Sequence, residues 1–246
     1  MIEVANVSRV FEGKAGRVAA LDGVDFEVRE HEVVAVIGRS GCGKSTLLRI
    51  VAGLLAPTGG QVLVAGEPVT RPRRDVSFMF QRPALLPWRS VLDNVLLPLA
   101  VRGLDRRSQH GAHELLELVG LAGFATRLPH ELSGGMQQRV ALCRSLVQHP
   151  AVLLMDEPFS ALDALTRTEL TVELQQIWRE RPLTVVFVTH SIEEAVVLAD
   201  RVVVLTPRPG RLRKVVPVDI PRPRTARAAG VASVRDVLYD LLEMTG

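Results

Sequence analysis

An α/β fold built on a parallel central sheet is what this 246-residue sequence predicts, and three observations carry the prediction. Short β-rich runs recur along the chain, several of them continuously apolar, as strands buried on both faces must be. Helical patterns with apolar residues at spacings of three and four lie between them. No apolar stretch approaches the roughly 20 residues that span a bilayer, since Pro98 interrupts even the run from Val95 to Val101. At 47% hydrophobic and 23% charged, with 19 Gly and 15 Pro, the composition is that of a globular chain.

In chain order, strands are expected at Glu3–Val7, Val24–Val28, Val33–Ile37, Gln61–Val64, Val76–Phe80, Val152–Met155, Thr184–Thr189 and Val202–Leu205. Helices are expected at Lys44–Val51, Arg106–Val119, Gly135–Gln148, Leu165–Glu180 and Ile192–Ala199. Strands are missing between Phe80 and Val152, which reads as a helical insertion. After Thr206 the proline- and arginine-rich text, including Pro207–Arg211 and Pro221–Arg224, predicts irregular chain without a catalytic part. A terminal amphipathic helix follows over Val231–Met244, with Val234, Val237, Leu238 and Leu241 on its apolar face.

Composition excludes several functions. Two cysteines, Cys42 and Cys143, are too few for a disulfide scaffold or a four-ligand zinc site. A net charge of +3 and ten aromatics argue against nucleic acid as partner. Lys occurs three times, so nearly all the positive charge is arginine, a bias in composition that would also suit an anionic membrane surface. Met1-Ile2-Glu3-Val4 does not read as a secretory signal, so a cytosolic chain is expected.

Three segments carry chemistry. Gly38-Arg39-Ser40-Gly41-Cys42-Gly43-Lys44-Ser45, between an expected strand and a helix that starts near Thr46, is a P-loop. Its glycines let backbone N–H groups curl around a phosphate at a helix N-terminus. Lys44 then reaches the β- and γ-phosphates and the Ser45 hydroxyl ligates Mg²⁺. The apolar run Val152–Met155 ends in Asp156-Glu157. Alone, such a pair is a helix cap or a solvated turn. After a P-loop, Asp156 is expected to hold Mg²⁺ and Glu157 to polarise the water that attacks the γ-phosphorus. The third segment, Leu132-Ser133-Gly134-Gly135-Met136-Gln137-Gln138-Arg139, opens a helix that Ser133 caps, and its N–H groups form a second phosphate cradle. That second cradle lacks a Lys-Ser and an acidic strand end of its own, so a symmetric pair of chains exchanging cradles would complete both copies.

This octet is the signature of the ATP-binding subunits of ABC transporters, which the sequence resembles over nearly its whole length. Further family motifs stand in order: Gln81 after Val76–Phe80, Ser160-Ala161-Leu162-Asp163, and His190 after Thr184–Thr189. The resemblance implies a P-loop NTPase fold with an antiparallel β portion near the N-terminus. It implies one ATP-binding domain over residues 1–246, with a core of about 1–81 and 150–206, a helical subdomain of about 82–149 and an extension over 207–246. It further implies ATP, with Mg²⁺, bound between two chains placed head to tail. Phe11, where relatives more often have Tyr, would stack on adenine. Residues 38–46 would hold the phosphates. Ser133, Gly134, Gly135 and Asp163 would complete the partner's site. Gln81 would sense Mg²⁺ and γ-phosphate, and His190 would hold the γ-phosphate and orient water.

The resemblance implies partners as well: a permease on a separate polypeptide, a periplasmic or extracellular solute-binding protein acting through it, and a place on the cytoplasmic face of the membrane. The run Phe80–Val91, with Leu85, Leu86 and Trp88, is expected either as the coupling surface to the permease or as core. Together with Pro207–Arg211 it resembles importers of nitrate, sulfonates and taurine. Two departures stand out. Ser191 follows His190 where many relatives have Asp, and Cys42 lies in the P-loop, where a helix N-terminus would lower its pKa and make it alkylable unless nucleotide is bound. Cys143 is expected to be buried and inert. A soluble clamp-type ATPase would call for a long coiled coil or tandem domains, and a phosphotransferase leaves the octet and His190 without a role.

Overall fold

The computed structural model describes residues 1–13, 16–103, 109–160, 162–180 and 182–243. Strands β1 (Ile2–Gly13), β2 (Gly16–Val28), β4 (Gly59–Val64) and β5 (Glu67–Pro68) form an antiparallel sheet in the order β2-β1-β4-β5. The second sheet contains β3 (Val33–Ile37), β6 (Val76–Met79), β7 (Val152–Asp156), β8 (Thr184–Val188), β9 (Arg201–Leu205) and β10 (Leu212–Pro217). Its order is β10-β9-β3-β8-β7-β6, parallel throughout except for β10.

The continuously apolar strands are explained by two cores. Val34, Val36, Leu154, Val186, Val188 and Val203 face α1 (Lys44–Val51) and the antiparallel sheet. The alternate residues Val33, Ala35, Leu153, Val185, Phe187 and Val202 face the remaining helices. These are α2 (Val91–Val101), α3 (Gln109–Leu118), α4 (Gly134–Leu146), α5 (Ala164–Glu180), α6 (Ile192–Leu198) and α7 (Val231–Glu243). Burying an aliphatic side chain on either face contributes about 1.5–3 kcal/mol, so a strand apolar at every position is favoured only between two such layers. Among the described residues no helix is long and apolar enough to cross a membrane.

Two expectations are corrected, for residues 212–217 and for α7, and one helix of the expected insertion, α2, is added. Residues 212–217 are not irregular: Leu212 pairs with Leu205 and Val216 with Val202, and Val216 and Val218 are buried. A short strand with few apolar residues becomes legible only through the edge of β9 that it covers. Helix α2 includes Pro98, although an internal proline costs about 3 kcal/mol. Ser90 caps it by accepting from the Asp93 N–H (3.1 Å), and Val91, Val95 and Leu99, each four residues apart, bury its length. In α7, Val231 and Leu238 are buried and Val234 and Leu241 partly so, whereas Val237 is exposed; Met244 lies outside the described residues. The expected start of α3 at Arg106 also lies outside them.

Candidate active site

Four adjacent parallel strands deliver the sequence motifs to one edge of the sheet. β3 runs into Gly38–Ser45, β8 into Thr189-His190, β7 into Asp156-Glu157 and β6, one residue on, into Gln81. Carboxyl ends of parallel strands are where α/β sheets bind ligands, because the loops there open rather than return across the sheet.

The phosphate cradle depends on backbone geometry that glycine permits. Gly43, the N-cap of α1, has φ +101°, and a Cβ there would lie 2.7 Å from the Ala20 carbonyl oxygen and 2.7 Å from Leu21 Cδ2. The N–H groups that follow it lack helical acceptors and face the cavity. Lys44 is buried, and its Nζ donates to the carbonyls of Gly38 (2.8 Å) and Arg39 (3.3 Å). An open cavity of about 320 Å³ is lined by Phe11, Ser40, Gly41, Gly43, Lys44, Ser45, Thr46 and Glu157, together with Arg208. Gly38 and Cys42 are buried behind it and Arg39 is exposed.

Ser45 Oγ donates to Asp156 Oδ1 at 2.7 Å. Burial pushes the Asp156 carboxyl above the usual range, opposed by the Ser45 hydrogen bond and the charge of Arg49. A hydroxyl and a carboxylate side by side are the hard oxygen donors that Mg²⁺ takes beside phosphate, and they fit the ion. Glu157 turns out of β7 with φ +46°, a left-handed conformation costing about 1–2 kcal/mol, and its N–H is held by the Val188 carbonyl at 3.0 Å. Its Oε2 accepts from Gln81 Nε2 (3.1 Å) and lies 3.4 Å from His190 Nδ1. Gln81 and His190, from the ends of β6 and β8, thus converge on the Glu157 carboxylate at the cavity rim.

Ser133, Gly134, Gly135 and Asp163 are placed elsewhere, and none lines that cavity. Ser133 Oγ accepts from the Met136 N–H (3.3 Å) and caps α4. A Cβ on Gly135 would lie 2.9 Å from Thr166 Cγ2, so α4 and α5 start close together. Asp163 accepts from the N–H groups of Leu165 (3.1 Å) and Thr166 (3.0 Å). Ser133, Gly134 and Asp163 are exposed, so the two helix starts form one surface patch. Ala161 lies outside the described residues.

Several features were not anticipated. Arg9 lies 4.7 Å from the centroid of the Phe11 ring, a cation over one face of the aromatic. Buried Gln138 donates to the Pro158 carbonyl at 2.8 Å, tying α4 to the residue after Glu157. Ser191 has a local role: its Oγ accepts from Glu194 N (3.2 Å) and caps α6. The expectation for Cys42 is overturned, because its side chain is buried and burial pushes the thiol above its ordinary pKa, outweighing Lys44 and the helix N–H groups. Cys143 is buried as expected, and its pKa is raised further by the same cause. Trp88 is 73% exposed, whereas Leu85 packs against the core.

Comparison with known proteins places this architecture. The ABC transporter family model matches residues 21–160. An uncharacterized ABC transporter ATP-binding protein of Methanocaldococcus jannaschii is 47% identical over 243 residues, covering 98% of this chain and 91% of the relative. An aliphatic sulfonates import ATP-binding protein of Bacillus cereus is 39% identical, covering 100% of this chain and 97% of that one. A taurine import ATP-binding protein of Rhizobium johnstonii is 49% identical, covering 86% and 82%. Among solved structures, a dimeric ATP-binding cassette in a post-hydrolysis state with ADP and Pi superposes with a TM-score of 0.80 at 32% identity, covering 89% of this chain and 100% of that one. The P-loop, the acidic strand end and the signature helix, set on this sheet, are those of a MgATP-hydrolysing cassette, and the chain belongs to the ABC transporter family.

Proposed function

We propose that the chain energises import of a small oxyanion solute, a sulfonate, taurine or nitrate, through a separate permease at the cytoplasmic face of the membrane. The observation that carries this reading is the Glu157 carboxylate, joined to both Gln81 and His190 at the rim of the Lys44 cavity. Glu157 takes the proton of the attacking water as general base, and His190 orients that water and the γ-phosphate. Lys44 binds the β- and γ-phosphates, residues 38–46 cradle them, and Phe11 stacks on adenine. Ser45, Asp156 and Gln81 would hold Mg²⁺, which neutralises developing phosphate charge when bound. The Ser133–Gly135 and Asp163 patch closes the cavity of a second copy.

Coupling follows from where Gln81 sits. It opens the segment that runs to exposed Trp88, an apolar ring suited to a groove on a permease. A change at the γ-phosphate that moves Gln81 therefore pulls on the contact with the partner. Residues 82–149 act as the helical unit that makes this contact, on a core of residues 1–81 and 150–206. A solute-binding protein would deliver the solute from the far side. The relatives named for sulfonate and taurine import support the solute class.

The test is purification of the tagged chain from detergent-solubilised native membranes, with identification of what accompanies it. Recovery with a multi-spanning permease, and ATPase activity stimulated by a sulfonate and its binding protein, is expected. Recovery from the soluble fraction alone under several detergents would favour a clamp-type ATPase instead.

A further inference from the structure

β9 is a fifth parallel strand, adjacent to β3, and its carboxyl end opens at the same edge of the sheet as the four that carry the motifs. The loop that follows, residues 206–211, is fixed onto the phosphate cradle. The Gly210 N–H donates to the Ala20 carbonyl (2.9 Å), and the Gly210 carbonyl accepts from the Asp22 N–H (3.0 Å). Arg211 Nη2 and Asp22 Oδ2 are 2.5 Å apart. A Cβ on Gly210 would lie 2.1 Å from the carbonyl oxygen of Cys42, so the loop rests on the P-loop backbone itself. Thr206 braces it from within, donating to the Pro209 carbonyl (3.2 Å) and accepting from the Arg211 N–H (3.0 Å).

What this scaffold presents is Arg208. Exposed Arg208 lines the cavity with Phe11, Ser40, Lys44, Ser45 and Thr46, and it has no hydrogen bond or ion pair among the described residues. Lys44, the other cation there, is occupied by two carbonyls. An exposed guanidinium left unpaired, on a loop held by several backbone contacts, is preorganised for an anion.

We propose that Arg208 is a further nucleotide-binding residue, whose guanidinium contacts the phosphate chain of ATP from the β9 side of the cradle. The proposal rests on the reading of this cavity as the ATP site and adds to it a contact from outside the P-loop. It also gives the segment after β9 a part in the site, one that its late position in the chain did not suggest.

The experiment is calorimetric titration of the full chain and its variants with MgATP and with AMP. Arg208→Ala should weaken MgATP binding about tenfold, the loss of one charge-assisted hydrogen bond, and should scarcely change AMP binding. Arg208→Lys should recover most of the loss, and the difference from the unaltered chain should shrink as salt is raised. Gly210→Ala, which keeps the charge but lifts the loop from Cys42, should weaken MgATP binding in the same direction. MgATP affinity of Arg208→Ala within twofold of the unaltered chain would overturn the proposal, as would equal losses for MgATP and AMP. Lys44→Ala separates the two levels of the argument. If it abolishes MgATP binding while Arg208→Ala does not weaken it, the ATP site stands and the Arg208 contact falls. If the unaltered chain binds no MgATP, both fall.

Discussion

Glu157 combines a left-handed backbone with two side-chain partners, and it is the residue proposed as the general base. Glu157→Gln keeps the shape and removes the carboxylate that the proposal makes the base. ATP binding should survive while turnover drops by about 10²–10⁴-fold, read as phosphate release beside a nucleotide titration. Unchanged turnover would remove Glu157 from that role. Cys42 offers a second check at this scale: with both cysteines buried, the native chain should react with a thiol reagent far more slowly than the denatured chain, which should release two equivalents. Fast labelling of Cys42 that ATP blocks would contradict its burial. The residues that the structure gathers at one edge of the sheet were legible where a motif is written in local spacing, as in Gly38–Ser45 and Asp156-Glu157. The fate of Cys42 was not, because its environment includes the end of β9, far off in the chain. A Cβ on Gly38 would lie 2.6 Å from Cys42 Sγ and 3.4 Å from Leu205 Cβ.

Elements place these residues, and α4 has the plainest division of labour. Its N-terminus, capped by Ser133, does not line the chain's own cavity, and Gln138 one turn on reaches Pro158 beside Glu157 at the end of β7. Ser133→Arg should leave nucleotide binding to one chain intact and abolish hydrolysis; normal hydrolysis would sink the idea of exchanged cradles. Beyond β10, the segment leading to α7 is anchored by buried Arg224. Its Nη1 donates to the carbonyls of Val196 (2.7 Å) and Ala199 (2.8 Å) at the end of α6, and its backbone exchanges hydrogen bonds with Gln175 of α5. Burial and the neighbouring Arg222 push its pKa down to about 10. Arg224→Ala would leave those carbonyls bare and should cost about 2–4 kcal/mol, a fall in Tm of several degrees by thermal unfolding. A Tm unchanged within one degree or so would mean that this anchor is redundant. Such an anchor is invisible in sequence, where Pro221–Arg224 reads as irregular chain, since its partners lie on α5 and α6. The doubly buried strands were legible for the opposite reason: each announces itself through its own residues.

At the scale of the whole molecule, one chain carries the Lys44 cavity and, outside its lining, an exposed patch that the proposal gives to the cavity of another copy. Neither half explains the other within a single chain. The pairing becomes coherent when two copies are placed so that each patch covers the other's cavity, and the dimeric cassette bound to ADP and Pi has the same fold. The γ-phosphate, touched from both sides, then holds the pair together, and its release lets the pair open. The measurement that tests this most directly is the solution mass of Glu157→Gln by light scattering, with and without MgATP, beside the same variant carrying Ser133→Arg. With MgATP the first should move from 26.9 kDa to twice that mass, and the second should stay at one chain although it binds nucleotide. A Glu157→Gln chain that remains monomeric when saturated with MgATP, or a Ser133→Arg chain that dimerises equally well, would contradict the account.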